Sequence, residues 1–324
     1  MTAVARARRV DVVQVPRDSA SIAGRAHFAC VLEASAPKPG NVSPGQPFAD
    51  VRYEDFLASA EAIAHPFEGA GRRPLGETIL LAVEATAART RANTNLGIVL
   101  LLAPLVRAAV RLLDVQVAPD RDERLRNLRA EVRQVLAETT RDDARNVYRA
   151  IRLANPGGLG SAEEQDVMNE PTVTLLEAMR LAADRDGVAR EYATMYETTF
   201  EKGVPTLLRA RADGLALNDA IVETYLTMLA AAPDTHVVRR GGDDLGRRVS
   251  TLAAESLAAG GVRSEPGRQR IVAMDASLRD PRNVANPGTT ADLTAATLCA
   301  ALLVGALTIG PAESGPHEEG SEES

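Results

Sequence analysis

Along most of the chain, apolar residues recur every three to four positions, the spacing that gathers them on one face of an α-helix. The pattern predicts helices over 19–35, 50–65, 75–90, 95–113, 121–138, 141–153, 172–185, 188–201, 204–212, 217–231, 243–259, 267–279 and 290–309. Pro-Gly, Asn-Pro-Gly, Gly-Gly and Ala-Pro-Asp clusters separate the periodic runs, as chain reversals require. No window alternates apolar and polar residues over the length of a strand, so an all-α fold is expected. Two runs, 96–110 and 293–312, are apolar nearly all round. The second is long enough to cross a bilayer, but its threonines and its lack of flanking Lys or Arg fit a buried central helix. The first, interrupted by Pro104 and Arg107, reads the same way. No repeat of solenoid length is present. The expected organisation is a single large multi-helix domain over 19–310 with buried central helices. A flexible segment over 1–18 precedes it, and a disordered acidic tail over 311–324 follows.

With 324 residues, 45% hydrophobic and 25% charged, the chain can bury a core unaided. Aromatic residues are only 3% and Trp is absent, so Ala, Leu and Val must fill that core, which again favours helices. A net charge of −7 argues against general nucleic-acid binding, which needs a basic face. Cys30 and Cys299 lie in apolar stretches and read as reduced core residues of a cytoplasmic protein. The N-terminal stretch is interrupted by Asp11, Gln14 and Arg17 and makes no signal peptide. Four scattered histidines (His27, His65, His236 and His317) argue against a histidine-based metal site. Of the 37 basic residues only Lys38 and Lys202 are lysine. A lysine kept against that bias suggests a position needing a compact ammonium, and Lys38 lies in a Pro-Gly turn.

Five polar segments at helix ends carry the candidate chemistry. The first runs from Glu33 through Pro37-Lys38-Pro39-Gly40-Asn41, where two prolines and a glycine fix a turn that can offer Lys38 to an anion. The second is the helix bearing Glu77 and Glu84, seven residues apart and therefore on one face, a pairing that suits Mg²⁺ or proton transfer. Asn93-Thr94-Asn95 caps an apolar helix, and a helix N-terminus is a natural phosphate seat. Asp234-Thr235-His236 precedes Arg239, Arg240, Gly241 and Gly242; the arginines can hold a polyphosphate, and Asp234 can bind metal or accept a proton. The fifth, Asn286-Pro287-Gly288-Thr289-Thr290-Ala291-Asp292, is another helix start. Each segment also has a plain structural reading as a turn, a cap or a solvated face. There is no P-loop and no GxGxxG after a strand. Taken together the five suit a magnesium-nucleotide or phosphorylated-ribose site.

In this order the segments resemble the triphosphoribosyl-dephospho-CoA synthases, over about 270 residues from near Ser19 to Ile309. The resemblance implies an all-helical fold and condensation of ATP with 3′-dephospho-CoA, or a related ribosyl or nucleotide acceptor, with release of adenine. The product is a prosthetic-group precursor. Mg²⁺ is the implied metal, with Glu33, Glu77, Glu84 and Asp292 as its candidate ligands. Glu77, Glu84 and Asp234 are the candidate catalytic acids. Lys38, Gly40, Asn41, Asn93, Thr94, Asn95, Arg239, Gly241, Gly242, Asn286 and Gly288 are the candidate substrate and phosphate contacts. A homodimer is allowed; a nucleic-acid or membrane partner is not expected. The chain departs from the family pattern at Asn93-Thr94-Asn95-Leu96-Gly97, where the family has Asn-Thr-His-Lys-Gly, and at Thr289-Thr290, where a Gly-Ser pair is usual. The family's His-Gly element is not evident near Asn155-Pro156-Gly157. A non-catalytic nucleotide-binding helical protein and a Mg-dependent hydrolase of ribosyl nucleotides are the competing readings.

Overall fold

Two helices that are apolar on nearly every side organise the structure. The computed structural model describes residues 21–90, 92–114, 118–157 and 160–307, so the segments expected over 1–18 and 311–324 lie outside the described residues. Fourteen α-helices and no strand are present among the described residues. In order they are α1 (Ile22–Ser35), α2 (Tyr53–Glu68), α3 (Leu75–Ala87), α4 (Leu96–Arg111), α5 (Arg121–Ala137), α6 (Arg141–Ala154), α7 (Leu175–Ala182), α8 (Gly187–Thr194), α9 (Val204–Ala212), α10 (Leu217–Ala231), α11 (Thr235–Gly241), α12 (Asp243–Ala258), α13 (Glu265–Leu278) and α14 (Gly288–Leu303). The two apolar runs of the sequence become α4 and α14, which pack on each other and on α1 at the centre of one continuous hydrophobic core. No helix of the described chain is long and apolar enough to cross a membrane.

Burial makes Pro104 costly in α4 unless the carbonyl it leaves unpaired finds another donor. Proline has no N–H to give to the carbonyl four residues earlier, so Leu100 would keep an orphan oxygen in a dry core. Tyr192, fully buried, donates its hydroxyl to that oxygen at 2.6 Å, and Tyr196 does the same for Leu101 at 2.7 Å. Two tyrosines in an aromatic-poor chain are thus committed to one proline-containing helix.

The same tyrosines account for a departure from the expected helix over 188–201. The backbone leaves the helical region at Met195 and Tyr196, with φ of 54° and 60°, and resumes as a π-helical turn, Thr198–Gly203. The buried carboxylate of Glu191 accepts from the backbone N–H groups of Thr198 and Thr199, both at 3.0 Å, and from the Thr199 hydroxyl at 2.6 Å. A break here swings Tyr196 onto α4. The other departure is α11, seven residues read from sequence as a turn; it is too short to show a period, and it forms because Asp234 caps it.

Tyr192→Phe removes the donor and leaves the Leu100 carbonyl buried and unpaired. It should lower unfolding free energy by about 1–3 kcal/mol in urea titration. A change within about 0.3 kcal/mol would contradict this role for the hydroxyl.

Candidate active site

Four helix N-termini meet around one cavity of about 900 Å³. Residues at the starts of α4 (Leu96, Gly97, Ile98), α8 (Val188, Ala189), α11 (Thr235, His236) and α14 (Gly288, Thr289, Ala291, Asp292) line it. Val147 and Ile151 of α6 and Leu175, Ala178, Met179 and Ala182 of α7 form an apolar wall of the same lining. The cavity therefore combines helix starts with hydrocarbon.

A small polar network knits the N-termini together. Asp234 caps α11 by accepting from the backbone N–H groups of His236 at 2.8 Å and Val237 at 3.1 Å. Its second oxygen accepts from both the N–H and the hydroxyl of Thr290, each at 2.7 Å, so the same carboxylate caps α14. Asp186 caps α8 and pairs with Arg239 of α11 at 3.2 Å. Thr235 accepts from the Gly187 N–H at 2.9 Å and shares a hydrogen bond with Thr289. At the start of α4, Asn95 donates to the Ser59 carbonyl at 3.3 Å and to the Thr86 hydroxyl at 3.1 Å, while Thr94 bonds to Ser59. The α4 and α14 starts touch directly. A Cβ built on Gly97 would lie 2.0 Å from Oδ2 of Asp292, so only glycine leaves room for that carboxylate.

At the start of α4 the Asn93 side chain accepts from the Leu96 N–H at 3.2 Å, while among the described residues the N–H groups of Gly97 and Ile98 find no protein acceptor and Asn95 makes no cap bond. Unpaired donors at the positive end of a sixteen-residue helix favour an anion. Beside them the Asp292 carboxylate accepts no hydrogen bond from the described chain. Burial, together with the nearby carboxylates of Glu33, Asp234 and Asp186, pushes its pKa well above the ordinary range, against the opposing pull of Arg239. Two further polar atoms, Nε of Arg239 and Oδ1 of Asn286, are buried on residues of this lining without a protein partner.

The structure brings together Glu33, Asn41, Asn93, Thr94, Asn95, Arg239, Asn286, Gly288 and Asp292, drawn from four of the five sequence segments. It does not bring in the second segment. Glu77 and Glu84 do share a face of α3, but Glu84 is solvent-exposed, and neither lines the cavity. The buried face of α3 is instead the one bearing Leu75, Ile79, Val83 and Thr86. Lys38 is also elsewhere than the sequence suggested. It is 1% exposed, pairs with Glu33 at 2.9 Å and donates to the carbonyls of Glu33 and Ala36, so its three protons are committed. Gly40 takes a φ of 77° and packs on Leu278 and Pro287, outside the cavity. Asp234 is saturated by its two caps, and Gly241 and Gly242 close α11 without lining the cavity. Among the described residues no three His, Cys, Asp or Glu side chains cluster as a ready-made metal site. Sequence reasoning passed over Asp186, His236 and the apolar wall. Asp186 opens Asp-Gly-Val-Ala, a capping signal, but nothing in the chain ties it to Arg239.

A family model described as ATP:dephospho-CoA triphosphoribosyl transferase matches residues 19–309. Over 109 residues the chain is 37% identical to a 2-(5″-triphosphoribosyl)-3′-dephosphocoenzyme-A synthase of Pectobacterium atrosepticum, covering 34% of each chain. Over 108 residues it is 36% identical to a protein of Stutzerimonas stutzeri named as a candidate for the same activity, covering 33% of this chain and 37% of that one. These matches span only about a third of the length of the curated relatives. A crystal structure from Archaeoglobus fulgidus, named as a candidate triphosphoribosyl-dephospho-CoA synthase, superposes with a TM-score of 0.58 at 28% identity. That match covers 77% of this chain and 99% of the other.

The Asp292 shift has a consequence for the ligand-free protein. Its folded-state pKa lies above the unfolded value, so between the two the native state binds more protons, and stability falls as pH rises through that interval. Asp292→Asn cannot ionise. It should unfold at a higher temperature than the parent at about pH 8, with the advantage gone by about pH 4, where the parent carboxyl is protonated as well. A parent more stable than the variant at the higher pH would contradict the crowded-carboxylate environment.

Proposed function

The chain belongs to the ATP:dephospho-CoA triphosphoribosyl transferase family, and from that membership we propose that it transfers the triphosphoribosyl group of ATP to a hydroxyl of dephospho-CoA, releasing adenine. The observation that carries this reading is a single cavity lined by both helix starts and apolar side chains. A triphosphate needs fixed donors, and the open start of α4 with Arg239 supplies them. A nucleobase or a pantetheine arm needs hydrocarbon, and α6 and α7 supply it.

The residues also fit Mg²⁺. Asp292 and Glu33 are hard oxygen donors on the same cavity, and the repulsion that raises the Asp292 pKa is what a cation would relieve. Mg²⁺ keeps several waters and binds through one or two carboxylates plus substrate phosphates, so a cage of three acids is not required. When bound it would neutralise phosphate charge next to the α4 N-terminus. Lys38 then acts through Glu33, holding that carboxylate toward the cavity from behind. Displacement at the ribose C1 passes through an oxocarbenium-like state, which nearby carboxylates stabilise. The apolar wall keeps water from competing with the acceptor hydroxyl.

Incubation of the purified protein with ATP, Mg²⁺ and 3′-dephospho-CoA, followed by chromatography, tests the reading. Free adenine together with a heavier CoA adduct is the expected result. Adenine formed equally without the acceptor would replace transfer by hydrolysis, and bound ATP with no product would leave a binding protein. Gly97→Ala gives the site itself a test, because the added methyl must displace the Asp292 carboxylate. It should lower kcat/KM about 10²-fold while the protein still unfolds cooperatively. Unchanged kinetics would remove the α4–α14 junction from the site.

A further inference from the structure

Transfer to a hydroxyl needs a group that accepts its proton, and most acids on this cavity are already engaged. Glu33 is held by Lys38 and Asp186 by its cap and Arg239, while Asp234, which does not itself line the cavity, is held by four hydrogen bonds. The other lining carboxylates, Asp50, Glu164, Asp184 and Asp243, are solvent-exposed. Asp292 lies against the α4 start, where the proposed cation and triphosphate would sit.

Resting on the transfer reading, we propose that His236 takes the proton from the attacking hydroxyl. Its backbone N–H is fixed by Asp234, which sets the first turn of α11. Its ring packs so close to α14 that a Cβ at Gly288 would come 2.3 Å from Nδ1, so glycine at 288 is what admits the ring. Gly288 and Asp292 are four residues apart on α14, hence on one face, so the imidazole sits one turn from Asp292 on the same cavity wall. The ring makes no hydrogen bond with the described chain. The charged groups that act on it are Arg239 and Arg240 on its own helix, and Asp292 of α14 and Asp186 before α8 line the same cavity. Burial first, and then the two arginines, hold the imidazole pKa down at about 4, so the ring is neutral and able to accept. An anionic triphosphate beside those arginines would offset their charge and raise the basicity of the ring as substrate binds.

The step balances. The acceptor oxygen bonds to the ribose C1 as the C1–N bond to adenine breaks, and that electron pair leaves with the base. The hydroxyl proton passes to His236. The departing adenine takes one proton from solvent, and His236 returns its own.

His236→Ala and His236→Gln should lower kcat for adenine release about 10²–10⁴-fold, with ATP affinity changed less than about threefold by calorimetry. Added imidazole should restore part of the His236→Ala activity, a response that a merely structural role would not produce. Gly288→Ala, which takes the space of the ring, should reproduce the loss. If both His236 variants keep kcat within about threefold of the parent, or lose it without imidazole rescue and in step with ATP affinity, the role is overturned while transfer stands. A parent that binds ATP but releases no adenine overturns transfer and this role together.

Discussion

Four helix N-termini pointing at one cavity present like poles to each other, and the arrangement needs compensation at close range. Asp234 provides the largest share, because one buried carboxylate caps both α11 and α14 through four hydrogen bonds. Burial alone would raise its pKa and disfavour the charge, and the donated bonds are what oppose that. Asp186 does the same for α8 while holding Arg239. What remains least compensated is the start of α4, where Asn93 takes only the Leu96 N–H and Gly97 lies against Asp292. The cavity thus keeps one unfilled positive end beside one crowded carboxylate. That combination suits an anion that brings its own cation, as a magnesium-bound triphosphate does.

The same network fixes the geometry of the proposed chemistry. Asp234 sets the register between α11 and α14, and that register lays His236 on Gly288 one turn from Asp292. The tyrosine pair under Pro104 fixes α4 from behind, so its first turn does not slide with respect to α14. Lys38 and Glu33 show the division of labour most plainly. The scarce lysine is sealed in the core, and the acid it pairs with lines the cavity. A chain lacking the family's His-Lys pair after Asn93-Thr94 therefore still has donors at that place, because backbone N–H groups do not depend on side-chain identity.

Most of the fold was legible in the sequence, because helical periodicity and turn punctuation are local. The all-α class, the buried α4 and α14 and most helix boundaries follow from it. What failed did so for nonlocal reasons. The break at Met195 and Tyr196 goes with a hydrogen bond from Tyr196 to the Leu101 carbonyl, some ninety residues earlier in the chain. The seven residues of α11 are too few to show a period and are held by a cap shared with α14. For the site, residues of four of the five polar segments line one cavity, and N-caps and Gly-rich turns are local signatures that a sequence shows. The Glu77–Glu84 face was read as functional because spacing fixes a shared face but does not say which way that face turns. Lys38 was read as an exposed cation because no local rule predicts that it folds back onto Glu33.

The central claim is that the cavity recognises a triphosphate through the open start of α4 and its neighbours, more than it recognises a nucleoside. The most direct measurement is calorimetric titration of the protein with ATP and with adenosine, each in Mg²⁺. The structure predicts that ATP binds at least about 100-fold more tightly, equivalent to about 2.7 kcal/mol. Equal affinity for the two, or adenosine binding alone, would contradict it.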